Sequence, residues 1–360
     1  MKQNGRHSRE LIPSGSVIDD FKLIQCIGQG GYGDVYYVEK DEKAYAMKCE
    51  YLSSKKTALL RELDVIKYLS GCCYFPRFFV NGENERIRYM VIELLGPSIS
   101  SLRRRCNGHK FSIVTFVKVA KEMLKCIQAL HECGFIHRDI KPSNFLLKPG
   151  HQCSFALVDF GLSRKYLNAE DGTHIVQTKY LSYKGTIKYS SLTAHKHADQ
   201  SRRDDIWCWF FSLCEMYLGD LPWGETKDPK DIYKAKKDFI QYEMVSQLPS
   251  RLYSLFFVIN NLSFDQTPEY GEYMYQLDQI LVDQESNLEL PLDWEQLPLE
   301  TVKKISVFPF AQNNDVCPFS TSEIIKYRVR KKSERSGDLP KMLETKYQKR
   351  SNFSHTCIII

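Results

Sequence analysis

The 360-residue sequence predicts an α+β chain in two lobes, a small antiparallel β-sheet lobe with one helix and a larger, mainly α-helical lobe. Three observations predict it. Residues 21 to 92 alternate apolar and polar side chains between turn signals, interrupted by one helical stretch near 55–69. Beyond Gly96-Pro97, a natural linker, the apolar spacing becomes that of helices over 111–132, 203–219, 229–245 and 272–283. Between the first two of these helices stand HRDIKPSN (137–144) and DFG (159–161), strings rich in residues that carry chemistry.

In chain order, residues 27–35, IGQGGYGDV, satisfy GxGxxGxV through Gly28, Gly30, Gly33 and Val35. Glycines let a backbone approach phosphates closely. The loop thus places Ile27, Gly28, Gln29, Gly30, Gly31, Tyr32, Gly33, Asp34 and Val35 around a nucleotide, with Ile27 and Val35 closing on the base. The same spacing also marks dinucleotide-binding folds, where it opens a helix. Here VYYVEK (35–40) continues as an alternating strand that turns at Asp41-Glu42, which favours a hairpin. AYAMKCE follows and puts Ala46 and Lys48 on the next strand, with Lys48 directed at the α and β phosphates; a solvated strand lysine is the plain alternative. In TALLRELDVIKYL (57–69), Leu59, Leu63, Ile66 and Leu69 fall near one face. Glu62 lies beside that face, either as an ion-pair partner of Lys48 or as an ordinary surface glutamate. YMVIELL (89–95) runs into the linker, so Glu93 to Leu95 form a hinge whose backbone meets adenine.

The second lobe opens with an apolar stripe, Val117, Ala120, Leu124, Ile127 and Leu130, that reads as core and leads into HRDIKPSN. Transfer of a γ-phosphoryl group passes through a charge-dispersed transition state, so positioning and charge neutralisation are what a protein must supply. Asp139 offers a carboxylate for the proton of an attacking hydroxyl, and Lys141 points the same way to steady the phosphate. Asn144 and Asp159 offer the hard oxygen ligands that Mg²⁺ prefers. Leu146 and Val158 form the floor of the pocket, Phe160 is an apolar anchor, and Gly161 permits a backbone turn. ATP and Mg²⁺ are the cofactors this set implies.

Composition agrees with a folded catalytic body: 43% hydrophobic and 26% charged residues are ordinary for a globular protein. The first ten residues lack an apolar stretch, so no secretory signal is expected, and IWCWFFSLCEMYL (206–218) is too short for a membrane span and reads as a buried core helix. The 12 cysteines show no CxxC spacing, which argues against a disulfide framework or a zinc site and for a reducing, cytoplasmic setting. His195 and His197 read as solvated residues on an exposed turn. Residues 1–305 carry 40 Lys and Arg against 39 Asp and Glu, whereas 306–360 carry 10 against 5. The body is nearly neutral and the tail is basic.

Across roughly 18–300 the chain resembles a protein kinase of the casein kinase 1 superfamily, and within it the tau-tubulin kinase branch. LLGPS (94–98) and SRRDDIW (201–207) resemble the superfamily; HRDIKPSNF (137–145), GTIKYSSLTAHK (185–196), LPW (221–223) and DWE (293–295) resemble the branch. SSLTAH stands where most other kinases carry APE. The resemblance implies a kinase domain at 18–300, its small lobe at 18–95 and its large lobe at 96–300, between an extension at 1–17 and a basic tail at 301–360. It implies Ser and Thr acceptors, Asp205 as a support of the catalytic-loop backbone, and a basic cluster of Arg138, Arg164 and Lys188 that favours acidic or phosphorylated substrates. Ordinary solvated or paired cations remain the alternative for that cluster. It further implies a monomer that binds no nucleic acid and needs no activation-loop phosphate among Ser163, Thr173, Thr178, Tyr180, Ser182, Tyr183 and Thr186. A catalytically silent scaffold of the same fold is the competing function, although no site residue is missing.

The last four residues, Cys357-Ile358-Ile359-Ile360, fit a prenylation box at Cys357, and residues 326–350 hold 10 basic against 3 acidic side chains. A lipid with a basic patch gives the two signals that stable peripheral membrane binding needs. A chance apolar end, a solubilising tail or a basic segment that touches nucleic acid or an acidic partner are the alternatives.

Overall fold

The computed structural model describes residues 10–296 apart from 31–32, 54–57, 149–154, 169, 179–184 and 287–288. The glycine-loop residues Gly31 and Tyr32, activation-segment residues Tyr180, Ser182 and Tyr183, the segment 326–350 and Cys357 therefore lie outside the described residues.

The small lobe is one six-stranded antiparallel sheet in the order β1-β2-β3-β4-β6-β5. Its strands are β1 (Val17–Ile18), β2 (Phe21–Gln29), β3 (Asp34–Lys40), β4 (Lys43–Tyr51), β5 (Phe78–Glu83) and β6 (Ile87–Glu93). Alternation puts Leu23, Tyr36, Val38, Met47, Cys49, Tyr89 and Val91 into one apolar cluster on the sheet. The β3–β4 hairpin closes at Lys40↔Lys43, and Asp41 and Glu42 both take positive φ (50° and 59°), the double left-handed conformation that matches strand twist. A continuing hairpin, and not a helix, therefore follows the glycine loop. Helix α1 (Ala58–Leu69) buries Leu59, Leu63, Val65, Ile66 and Leu69, and Glu62 is buried on the same side.

The large lobe begins with α2 (Ile99–Arg103) and α3 (Ile113–Glu132). All five residues of the expected α3 stripe are fully buried, and Ser112 caps the helix by accepting from the Thr115 N–H. Short antiparallel pairs then frame the catalytic segment: β8 (Phe145–Leu147) with β9 (Phe155–Leu157), and β7 (Phe135–Ile136) with β10 (Arg164–Lys165). Helices α4 (Leu192–His195), α5 (Arg202–Leu218), α6 (Pro229–Asp238), α7 (Met244–Gln247), α8 (Ser250–Asn260) and α9 (Tyr270–Asp283) complete the lobe. Helix α5 is buried nearly all round, so it carries Trp209, Phe210, Phe211 and Leu213 with no polar face.

Two expectations need adjustment. The helix expected over 229–245 is broken: α6 ends at Asp238, a π-type turn covers Phe239–Glu243, and α7 follows. His195, expected to be solvated, is half-buried, with its ring packed on Tyr233. No helix among the described residues is long and apolar enough to cross a membrane, and the nine described cysteines are free.

Candidate active site

Strand β4 carries Lys48 opposite Val35 of β3 and Met90 of β6, and α1 brings Glu62 to it from outside the sheet. The Lys48 ammonium lies 2.6 Å from Glu62 Oε2 and 3.0 Å from Asp159 Oδ1. Burial opposes its charge, but the two carboxylates hold its pKa above the ordinary lysine value. Burial likewise raises the carboxyl of Asp159, yet Lys48 reverses the shift and keeps it below the ordinary value. Three residues far apart in sequence thus form one charged group, and Asp159, with its side chain 38% exposed, is the member open to a ligand.

The turn holding Asp159 is not made where the glycine suggests. Asp159 itself takes the left-handed conformation (φ 69°), whereas Gly161 has an ordinary backbone inside the 3₁₀ turn Phe160–Leu162. A Cβ at Gly161 would meet Ala58 Cβ at 3.6 Å, ordinary contact, so neither the backbone nor the packing at this position requires glycine. Phe160 is buried as expected, with its ring edge-on to Phe75 and His137.

The catalytic segment is held from beneath by a buried polar network. Asp205 on α5 accepts from the backbone N–H groups of His137 (2.6 Å) and Arg138 (2.8 Å), and His131 Nε2 lies 3.0 Å from it. Burial raises the Asp205 carboxyl, but the hydrogen bonds from His131 and the His137 N–H more than reverse this. Burial keeps His131 neutral, so Nε2–H donates to Asp205 and Nδ1 accepts from the Tyr270 hydroxyl (2.6 Å). His137 is tied in similarly: its Nδ1 accepts from the Asp139 N–H and its Nε2–H donates to Val158 O at 3.0 Å. Arg138, between them, takes a positive φ (67°) that this network maintains.

The Asp139 carboxylate accepts from Lys141 Nζ at 2.6 Å and from the Thr186 N–H at 2.6 Å, while Lys141 also donates to Thr186 Oγ1 at 2.9 Å. Asn144 donates its amide N–H to Asp139 O at 2.9 Å, which leaves its side-chain oxygen as the ligating atom. An amide oxygen here and the half-exposed carboxylate of Asp159 suit a hard divalent cation such as Mg²⁺. The backbone of Asn144 also accepts from the Val158 N–H (2.9 Å), tying these two segments together.

Nucleotide-side residues take their expected places in the strands. Gly28 pairs with Val35, Gln29 with Asp34, Ala46 with Ile92, and Leu146 with Ala156. Ile27 is partly exposed and Ala46 is buried. Asp34 buries its side chain, so only its backbone can face the loop. Glu93 uses its N–H for Arg77 O (2.8 Å) and its carboxylate for Lys148 (3.0 Å), whereas Leu95 has no backbone partner among the described residues. The hinge thus offers the Leu95 amide, not the Glu93 amide.

The basic cluster differs from its expected membership. Arg164 pairs with Asp199 at 2.6 Å and Lys188 with Glu215 at 2.7 Å. Arg138 is pushed down to about 10, first by burial and then by neighbouring Arg164, with Arg61 of α1 contributing. Arg164 and Arg61 are thus cationic neighbours of Arg138, and Arg164, like Lys188, is already paired with a carboxylate. Arg61 was missed because nothing local in α1 distinguishes it from a solvated residue.

The two-lobed arrangement is that of the protein kinases. Residues 21–287 match the protein kinase domain, and the chain belongs to the protein kinase family. It is 32% identical over 287 residues to a probable serine/threonine-protein kinase of Dictyostelium discoideum, covering 78% of this chain and 58% of that protein. It is 30% identical over 308 residues to the serine/threonine-protein kinase spe-6 of Caenorhabditis elegans, covering 81% of each. It is 34% identical over 285 residues to a probable casein kinase I homolog of Encephalitozoon cuniculi, covering 76% of this chain and 87% of that one. The chain spans little more than half the length of the Dictyostelium relative. Domain and relatives together define a protein serine/threonine kinase.

Proposed function

We propose that the chain transfers the γ-phosphoryl group of ATP, with Mg²⁺, to Ser and Thr hydroxyls of proteins, as a casein kinase 1-like enzyme near the tau-tubulin branch. The observation that carries this is the closed set Lys48, Glu62 and Asp159, joined to the segment of Asp139, Lys141 and Asn144 through the Val158 N–H on Asn144 O. Lys48 holds the α and β phosphates, and Glu62 fixes its direction. Asp139 orients the acceptor hydroxyl and takes its proton as the new O–P bond forms and the bond to the departing ADP oxygen breaks. Lys141, between Asp139 and Thr186, steadies the moving phosphoryl group. Asn144 and Asp159 would hold Mg²⁺, whose charge offsets repulsion among the phosphate oxygens. The Leu95 backbone, with Ile27, Val35, Ala46, Leu146 and Val158, receives adenine. The resemblance to casein kinase 1 relatives extends the reading to activity that needs no activation-segment phosphorylation, and the closed Lys48–Glu62 pair agrees with it. The test is ATP-dependent phosphorylation of casein by purified protein, with Asp159→Asn as control. Equal incorporation by both proteins would sink the proposal.

The same reading extends to substrate choice and location. Arg61, Arg138 and Arg164 would favour acidic or phosphorylated acceptors through charge-assisted hydrogen bonds, even with Asp199 offsetting part of their charge. Arg164→Glu should then reduce preference for acidic over neutral peptides, and an unchanged ratio would count against it. Cys357 and the basic segment 326–350 would tether the enzyme to a membrane surface. Cell fractionation of Cys357→Ser tests this, and an unaltered distribution would end it.

A further inference from the structure

Lys236 on α6 is fully buried, and among the described residues no carboxylate lies within ion-pair distance of it. Buried lysines ordinarily have such a partner. Its ammonium instead donates to Ile187 O at 2.8 Å and Ser190 O at 2.6 Å, with Ser190 Oγ and His195 Nε2 both at 3.3 Å. The rings of Phe211 and Trp223 cover it, with centroids 4.8 and 5.7 Å from Nζ. Burial pushes its pKa down to about 7; in the protonated form it has three N–H groups, and this site supplies two carbonyls and a third position shared by a hydroxyl and an imidazole. Burial and the adjacent Lys236 keep His195 neutral, its pKa down to about 4, so its Nε2 can accept.

We propose that Lys236 is a positioning residue for the protein substrate: it fixes residues 187–195 as the platform against which the acceptor segment lies. This rests on the kinase reading above. The held carbonyl of Ile187 directly follows Thr186, whose N–H donates to Asp139 and whose hydroxyl accepts from Lys141. Displacement at Ile187 is therefore passed across one peptide unit to the groups that meet the acceptor hydroxyl. Two helices grip this segment by different means. Helix α5 holds side chains, with Glu215 accepting from Lys188 (2.7 Å) and Tyr189 (2.9 Å). Helix α6 holds the backbone through Lys236, and only Ile232 and Lys236 of that helix are buried. An apolar side chain would fill the same space more cheaply. What it would lack is any means of holding three acceptors on one loop.

The test uses the full chain, ATP and a casein-derived peptide, with KM measured separately for each substrate. Lys236→Met keeps the length and apolar stem but removes the donors; the peptide KM should rise at least tenfold with the ATP KM within about twofold. Lys236→Gln keeps a two-donor amide, is the variant to use if the methionine protein does not fold, and should give an intermediate peptide KM. Loss of active protein with both KM values unchanged in the soluble variants would make Lys236 a mere packing residue and overturn the proposal. If the wild-type chain phosphorylates nothing, the kinase reading fails; if it is active and the variants keep its peptide KM, only this inference fails.

Discussion

Two lysines, half-buried Lys48 and fully buried Lys236, are held in opposite ways. Lys48 sits between two carboxylates, whereas Lys236 under the proposed substrate platform has, among the described residues, only carbonyl, hydroxyl and imidazole acceptors. The cleft arrangement keeps charge where charge has to be exchanged, because Asp159 is half-exposed and can turn from its lysine to a cation. The platform has no such exchange to perform. Neutral acceptors there fix the backbone, while the one carboxylate at this segment, Glu215 of α5, is taken up by the side chains of Lys188 and Tyr189.

The comparison breaks most completely at the carboxylates. Asp139→Asn and Asp159→Asn should each lower kcat by about 10² to 10⁴, the range for a positioned acid–base or electrostatic group, with little change in melting temperature. Lys48→Met should lower kcat by about 10²-fold or more and impair ATP use, where Lys236→Met alters the peptide KM. If both lysine variants gave the same kinetic pattern, the distinction between the two sites would disappear.

Stability changes are smaller and fall on the network beneath the loop. Asp205→Asn should cost about 3 kcal/mol in urea unfolding, because it weakens a buried group accepting from His131 and two backbone N–H groups. His131 is kept neutral by burial, with a folded pKa below 6.5. As pH falls through 6.5, the unfolded chain takes up a proton that the folded chain refuses, so stability declines by up to about 1.4 kcal/mol per pH unit. His131→Gln should flatten that slope, measured as melting temperature between pH 7 and 5.5. An unchanged slope would remove His131 from the network's titration. At the small end, breaking the exposed pair Arg251–Asp283 with Arg251→Ala should leave the melting temperature unaltered.

Much of this site was legible because its residues lie in short strings whose spacing reflects local backbone. HRDIKPSN places Asp139, Lys141 and Asn144 within one loop, and the hairpin after the glycine loop carries Lys48 at a fixed register. What escaped the sequence depends on contacts between distant elements. Tyr270 reaches His131 across 139 residues, and Arg61 neighbours Arg138 because α1 packs against the Phe160–Leu162 turn. Lys236 illustrates the limit most clearly: PKDIYKAKKD is so polar that any lysine in it reads as solvated, yet the helix buries this one, four residues after Ile232. The break after Asp238 was hidden for a related reason, since a π-type turn keeps a helix-like apolar spacing. Gly161 misled differently, because a glycine suggests backbone freedom, and here the left-handed residue is Asp159 two positions earlier.

The central claim is that Lys48, Asn144 and Asp159 converge on one magnesium-bound nucleotide. Calorimetric titration of the purified chain with ATP, with and without Mg²⁺, measures it most directly, with Asp159→Asn alongside. The account predicts that Mg²⁺ tightens ATP binding to the wild type at least tenfold and has little effect on the variant. Binding that ignores Mg²⁺ in the wild type, or an equal gain in both proteins, would contradict it.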